Sequence, residues 1–211
     1  MTIHVFDESN QDALTGKIVA EMRTGSVWGV NADSAYAIAT DAFSFKGLRK
    51  VQQLKGRSST ITPVLIARPE TLEALVAKLI PGIKLLTEAF WPGALTIVAK
   101  PNPSLAWAAS ADAISLRMPA NEQTRDLVWG LGPMVAIAAS RGQHPAPTTA
   151  LQAEEIWGSD VPDWVDSGPA DPEQVSTVVD FRGFMPNIVR LGCIPAKDLR
   201  AVLPSVTMIS T

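Results

Sequence analysis

The sequence predicts an α/β (α+β) domain, a mixed β-sheet flanked by helices. Three observations carry this expectation. Helix-period and strand-period segments alternate irregularly along the chain. Two strand-like segments near the end, residues 175–181 and 188–191, have no helix between them, which excludes a regular doubly wound sheet. Residues 134–139 are wholly apolar, as a central strand covered on both faces requires.

The elements follow in order. Asn10 reads as an N-cap, after which Leu14, Ile18, Val19 and Met22 form one helical face that ends at Gly25. Residues 26–30 and 36–39 read as strands. Leu48, Val51 and Leu54 recur at helical spacing, with Lys46, Arg49, Lys50 and Gln53 between them, giving an amphipathic helix with a basic outer face. Residues 63–67 form a short buried strand. Pro69 opens a helix whose stripe is Leu72, Leu75, Val76 and Leu79; Pro81-Gly82 breaks it, and a short helix over 83–89 follows. Residues 95–99 are a strand. Ile114, Leu116 and Met118 alternate with Ser115 and Arg117, the period of a half-buried strand. Asn121 caps a helix ending near Gly132, and Thr149 with Gln152 has capping-box spacing for a helix reaching Trp157. Pro195 starts a last short helix carrying Leu199 and Val202. The polar segment 166–173 is a loop long enough to be functional.

The 211 residues fit one domain spanning 1–211, with its core over about 10–203. A hydrophobic fraction of 46% against 18% charged residues excludes disorder. The net charge of -3 excludes a general polycation, so any nucleotide or nucleic acid must be held by a local basic patch. Cys193 is the only cysteine, which excludes an internal disulfide and suggests a reducing, cytoplasmic setting. The first residues lack the basic end and apolar core of a secretory signal, and no run approaches a membrane span. With His4 and His144 the only histidines, a His/Cys metal site is not expected; a Mg²⁺ carried by carboxylates or by a substrate is compatible.

Lys46, Arg49, Lys50, Lys55 and Arg57 stand close together with no acid among them. They read either as a solvated helix face or as groups for a polyphosphate. Gly56 separates Lys55 from Arg57 at a helix end, where the chain can turn both side chains into a cleft. Arg117 near a strand end and Arg190 before Leu191-Gly192 are either surface residues or an anion clamp. Ser176-Thr177 opens an apolar strand, as ordinary β-rich sequence or as hydroxyls for a phosphate. The six tryptophans have no regular spacing and form no ladder for single-stranded nucleic acid. Neither a Walker loop, a dinucleotide fingerprint nor a credible Ser/His/Asp set is present.

In this order, Lys55-Gly56-Arg57, Phe90-Trp91-Pro92-Gly93, Leu116-Arg117-Met118-Pro119, Pro145-Ala146-Pro147-Thr148-Thr149, Ser176-Thr177-Val178-Val179-Asp180 and Ile188-Val189-Arg190-Leu191-Gly192 resemble the YrdC family. The resemblance covers roughly Leu14 to Leu203. It implies a YrdC/RibB-like fold, a twisted mixed sheet flanked by helices around a large basic cavity. It also implies synthesis of threonylcarbamoyl-AMP from ATP, threonine and bicarbonate for tRNA modification, with ATP as substrate and Mg²⁺ accompanying it. Threonine's amine would capture CO₂ as a carbamate, which attacks the α-phosphate as pyrophosphate leaves. By the same resemblance Lys55 and Arg57 neutralise phosphates and carbamate and carry catalysis. Ser140, Ser176 and Arg190 join them in holding the nucleotide, and Ser34, Tyr36 and Arg117 face the amino acid. No protein metal ligand is implied.

Several family positions are altered. The usual Pro-Thr-Glu/Asp-Thr/Ser-x-Tyr-Gly-Leu reads Asn31-Ala32-Asp33-Ser34-Ala35-Tyr36-Ala37-Ile38, the usual Ser-x-Asn reads Ala138-Ala139-Ser140, the Ser-Gly pair after it reads Gly142-Gln143, and a frequent His is Asn121. Each lost hydrogen bond to a charged group costs about 1.5–3 kcal/mol. Two readings therefore stand: a working synthase, or a diverged paralogue that binds nucleotide, tRNA or double-stranded RNA without synthesis.

Overall fold

The computed structural model describes residues 2–7, 9–56, 61–108 and 111–208. Among them eleven strands form one mixed sheet: β1 (Thr2–Val5), β2 (Trp28–Asn31), β3 (Tyr36–Asp41), β4 (Ile61–Leu65), β5 (Leu95–Ala99), β6 (Ala113–Arg117), β7 (Met134–Ala138), β8 (Asp163–Asp166), β9 (Thr177–Asp180), β10 (Asn187–Arg190) and β11 (Thr207–Met208). Their order across the sheet is β1-β8-β2-β3-β7-β4-β6-β5-β9-β10-β11. Parallel pairs (β4 with β6, β5 with β9) sit beside antiparallel ones (β3 with β7, β5 with β6, β9 with β10). This is the mixed sheet that the helix-free step between the last strands requires.

The helices are α1 (Gln11–Arg23), α2 (Phe45–Lys55), α3 (Thr71–Leu75), α4 (Pro81–Phe90), α5 (Glu122–Leu131), α6 (Ala150–Trp157) and α7 (Ala196–Val202). The Asn121 carboxamide caps α5 by accepting from the Thr124 N–H at 2.9 Å. The Thr149 hydroxyl caps α6 by accepting from Gln152 N–H. The return bond of that cap falls one residue early, because the Gln152 carboxamide accepts from Thr148 N–H.

Alternation along the strands builds two cores. Tyr36, Ile38, Val135, Ile137, Ile97 and Leu116 point into the larger one, with Val51 of α2. Ala37, Ala39, Met134 and Ala136 point to the opposite face, where Ile18, Val19 and Met22 of α1 and Leu127, Val128 and Leu131 of α5 cover them. β7 is apolar throughout because it lies between β3 and β4 with packing on both sides.

Three expectations are corrected. The helix expected from Pro69 through Leu79 stops at Leu75: Val76 is extended and bridges Pro101, so its burial comes from strand pairing. Pro81 does not end a helix but begins α4, at the first turn where a missing N–H costs nothing. The segment 163–166, read as no element, is β8; it pairs in parallel with β1, and His4 Nε2 lies 2.8 Å from Asp163 Oδ1 across that pair. Four residues with acids at both ends carry no strand period. Only burial of Trp164 and Val165 makes them one.

Candidate functional site

A cavity of about 590 Å³ opens on the sheet face shared with α1 and α5. Its floor runs across strands β3, β7, β4, β6, β5 and β9 and is made of short side chains: Ala37, Ala136, Ala138, Pro63, Ser115, Thr96, Val98 and Val178. On the other face the same strands carry Ile38, Ile137, Leu116 and Ile97, all packed. The hollow thus follows from the period of two in strands whose facing residues differ in size. Its volume lies within the ~300–1,000 Å³ of small-molecule sites.

Arg117, the last residue of β6, projects from this floor. Its Nη2 donates to Asp33 Oδ2 at 2.6 Å and its Nε donates to the Gly93 carbonyl at 3.1 Å. Burial pulls the guanidinium below its ordinary value, and Asp33 pulls it back up. Asp33 is 9% exposed and adopts φ 69°, a left-handed conformation that acidic and amide residues reach more readily than most. Its carboxylate also accepts from the N–H groups of Ala120 and Asn121 at 3.0 and 2.7 Å. Asn31 holds that turn, its carboxamide oxygen accepting from Asp33 N–H.

The Trp-Pro-Gly turn buttresses the same arginine. The peptide before Pro92 is cis, Gly93 N–H donates to the Met118 carbonyl, and the Trp91 indole donates to the Leu95 carbonyl at 2.8 Å. A side chain at Gly93 would stand 2.8 Å from the Phe90 carbonyl oxygen.

Arg190 reaches the cavity from β10. Its Nη2 donates to Ser176 Oγ at 2.7 Å and its Nε to the Ser176 carbonyl at 3.0 Å. Thr96 Oγ1 lies 2.8 Å from the same Ser176 hydroxyl. Gly192 fixes this corner: a Cβ there would lie 2.0 Å from the Val175 carbonyl oxygen, and its N–H donates to Thr177 Oγ1. The close approach that this glycine permits is to backbone.

Of the residues the sequence singled out, Ser34, Arg117, Ser176 and Arg190 line this one cavity; Tyr36 borders it, with its fully buried ring packed in the core of the opposite face. The Tyr36 hydroxyl donates to the Gly168 carbonyl at 2.8 Å, beside Asp166. Burial and then Asp166 raise its pKa above the ordinary tyrosine value, so it stays a neutral structural donor. Lys55 ends α2, is exposed, and lines a smaller adjoining cleft that shares Ile61 and Pro63 with the cavity. Ser140 is exposed two residues beyond β7 and is not among the lining residues, whereas Ala138 is. Arg57 lies outside the described residues. Asp33, Gly93 and Thr96 are the contributors the sequence reading did not assign. The resemblance had matched Asp33 and Gly93 to family motifs, but no spacing rule links either to Arg117.

Among the described residues no group of three His, Cys, Asp or Glu could hold a metal, and the cavity lining bears no carboxylate. No helix among them is long and apolar enough to cross a membrane.

The chain is 32% identical over 188 residues to a Mycobacterium tuberculosis protein provisionally named threonylcarbamoyl-AMP synthase, covering 88% of this chain and 87% of that one. Pyrococcus abyssi Sua5 superposes with a TM-score of 0.90 at 23% identity, over 99% of this chain and 62% of Sua5. The chain therefore spans less than two thirds of that protein. The same Sua5 in complex with L-threonine gives a TM-score of 0.84, again at 23% identity, over 99% of this chain and 63% of Sua5. The Sua5/YciO/YrdC family model, described as telomere recombination, matches residues 20–192. With that match over most of its length, the chain belongs to the Sua5/YciO/YrdC family.

Proposed function

We propose that this chain is a threonylcarbamoyl-AMP synthase that joins ATP, threonine and bicarbonate and releases pyrophosphate, supplying threonylcarbamoyl-AMP for tRNA modification. The observation that carries the reading is the convergence of Arg117 and Arg190, each anchored by its own hydrogen bonds, on one cavity with Ser34 and Ser176. Two fixed guanidinium forks suit a carboxylate or carbamate and a phosphate, which the reaction must bring together. Relatives that carry the synthase name support it, as does the threonine held by Sua5.

In this reading Arg190 and Ser176 hold the nucleotide side. Arg117 and Ser34 receive the amino acid and its carbamate. Lys55, at the end of α2, would neutralise the remaining phosphate charge, a role the family motif gives to Arg57 as well. Ser140 would reach the nucleotide from the chain after β7. Mg²⁺ would be held by the phosphates of ATP, since the cavity lining offers it no carboxylate. The chain's own contribution is positioning and charge stabilisation, which phosphoryl chemistry chiefly needs.

Ala138 favours a second reading. It presents a methyl to the cavity where the family motif has a serine hydroxyl, which suits a nucleotide or RNA binder that has lost synthesis. One experiment separates the two. Purified protein is supplied with ATP, threonine, bicarbonate and Mg²⁺ and assayed for pyrophosphate and threonylcarbamoyl-AMP. Stoichiometric formation of both, lost in Arg190→Ala, is expected. Calorimetric binding of ATP or of structured RNA without product would leave the second reading, and no product together with no binding of either would overturn both.

A further inference from the structure

We infer that the outer face of α2 is a docking site for an acidic segment of a partner protein, one that inserts a bulky apolar side chain. Phe43 and Phe45 are 62% and 68% exposed. They flank a groove of about 650 Å³ whose walls include Leu48, Arg49, Leu105 and Trp107. Exposed aromatic rings around a concavity mark interaction surfaces, and aromatics with arginine are the residues that anchor them.

The sequence of α2 turns this face outward. A Cβ on Gly47 would stand 2.1 Å from Thr40 Oγ1, so the helix is pressed onto β3 at that point, and Val51 is buried behind it. Phe45, Arg49 and Gln52, spaced four and three residues apart, form the outward stripe. Both rings already have a neighbour in the groove. Phe43 meets Trp107 edge to face with centroids 6.2 Å apart, and the Arg49 guanidinium lies 4.6 Å from the centre of the Phe45 ring.

Charge selects the partner. α2 carries Lys46, Arg49, Lys50 and Lys55 and no acid, and none of the groove's lining residues is acidic. The chain as a whole has a net charge of -3, so this positive surface is local. It would attract an acidic segment and speed its arrival. The geometry favours polypeptide over nucleic acid: Arg49 covers one face of Phe45, and Phe43 is turned edge-on to Trp107. The rings therefore offer no parallel platform for successive bases, while Leu48 and Leu105 offer an aliphatic wall for a side chain. Leu48 packs on the core opposite the cavity, and with Gln52 and Trp107 it also lines the cleft of Lys55, so a docked partner would sit beside that lysine.

The test is selection of 12-residue random peptides displayed on phage against the whole protein, followed by calorimetry of the enriched peptides at low salt. The expected peptides carry Asp or Glu around one Leu, Phe or Trp. Their affinity falls at least tenfold in Phe45→Ser and in Arg49→Glu and is unchanged in Lys197→Ala, an exposed position on α7, with circular dichroism the same in all three. No enrichment, peptides without acids, or peptides indifferent to Phe45→Ser and Arg49→Glu would overturn the inference. So would a 12-nucleotide oligouridylate that binds in an Arg49-dependent way while no peptide does. Self-association of the protein abolished by Phe45→Ser would assign the groove to a second copy, and would overturn it too.

Discussion

Arg117 and Asp33 form a buried ion pair with 2.6 Å between Nη2 and Oδ2, joining segments 84 residues apart in sequence. Asp33 simultaneously ties down the chain after β6 through the Ala120 and Asn121 amides. One carboxylate thus sets both the aim of the cavity arginine and the shape of the turn beside it.

Removing one partner of such a pair leaves the other charged and buried. Asp33→Ala is expected to cost about 3–5 kcal/mol of unfolding free energy. Urea denaturation measures it. The double variant Asp33→Ala with Arg117→Met should be more stable than the sum of the single losses by about 1 kcal/mol or more, since neither charge is then stranded. Strict additivity would show that the two residues act independently.

Tyr36 is the only tyrosine of the chain, so its ionisation can be followed by tyrosinate absorbance without interference from another. Its pKa is raised from 10.0 by burial and by Asp166. A raised folded value means that the associated stability is complete below pH 10 and is lost as pH climbs above it. Tyrosinate should therefore appear only well above pH 10 or with unfolding. Tyr36→Phe should cost about 0.5–1.5 kcal/mol near neutrality through the lost hydrogen bond. Above pH 10 the gap between the two proteins should narrow by about 1.4 kcal/mol per pH unit.

Gly192→Ala forces a methyl onto the Val175 carbonyl. A loss of at least about 1–3 kcal/mol is expected from overpacking, together with weaker ATP binding as the Ser176–Arg190 corner shifts. Gly16→Ala is the contrast, because that glycine is exposed on α1 with nothing within 4 Å of a new Cβ. It should stabilise the protein by about 1 kcal/mol on helix propensity. Thermal melts of the two variants should move in opposite directions.

Arg190 holds Ser176 through two donors of one fork, a geometry lysine cannot copy. Under the synthase reading, Arg190→Lys keeps the charge yet should weaken ATP binding about tenfold, equivalent to ~1.4 kcal/mol. Ser176→Ala should fall in the same range. Calorimetric ATP titration reads both, and full affinity in Arg190→Lys would show that only charge matters there.

Period and punctuation determined much of the fold before any tertiary contact is considered. The strand of residues 95–99, the Asn121 cap of α5, the Thr149 cap of α6 and the buried β7 are all local, because their signals lie within one turn or one alternation. The sequence also named Arg117, Ser176 and Arg190, since an arginine near a strand end and hydroxyls opening a strand are legible by type and place. What tertiary structure alone decided is where these side chains meet and what holds them. Asp33 faces Arg117, and Gly93 offers its carbonyl to the same guanidinium, across separations that no periodicity spans. Thr96 finds Ser176 only because β5 and β9, 80 residues apart, pair in parallel. β8 exists as a strand because β1 and β2 lie on either side of it. Local sequence fixes backbone preference through dihedral and hydrogen-bond costs. The cavity and its anchored arginines arise from pairing register and from the size of residues on opposite faces of one sheet, and those are settled only when distant strands are brought together.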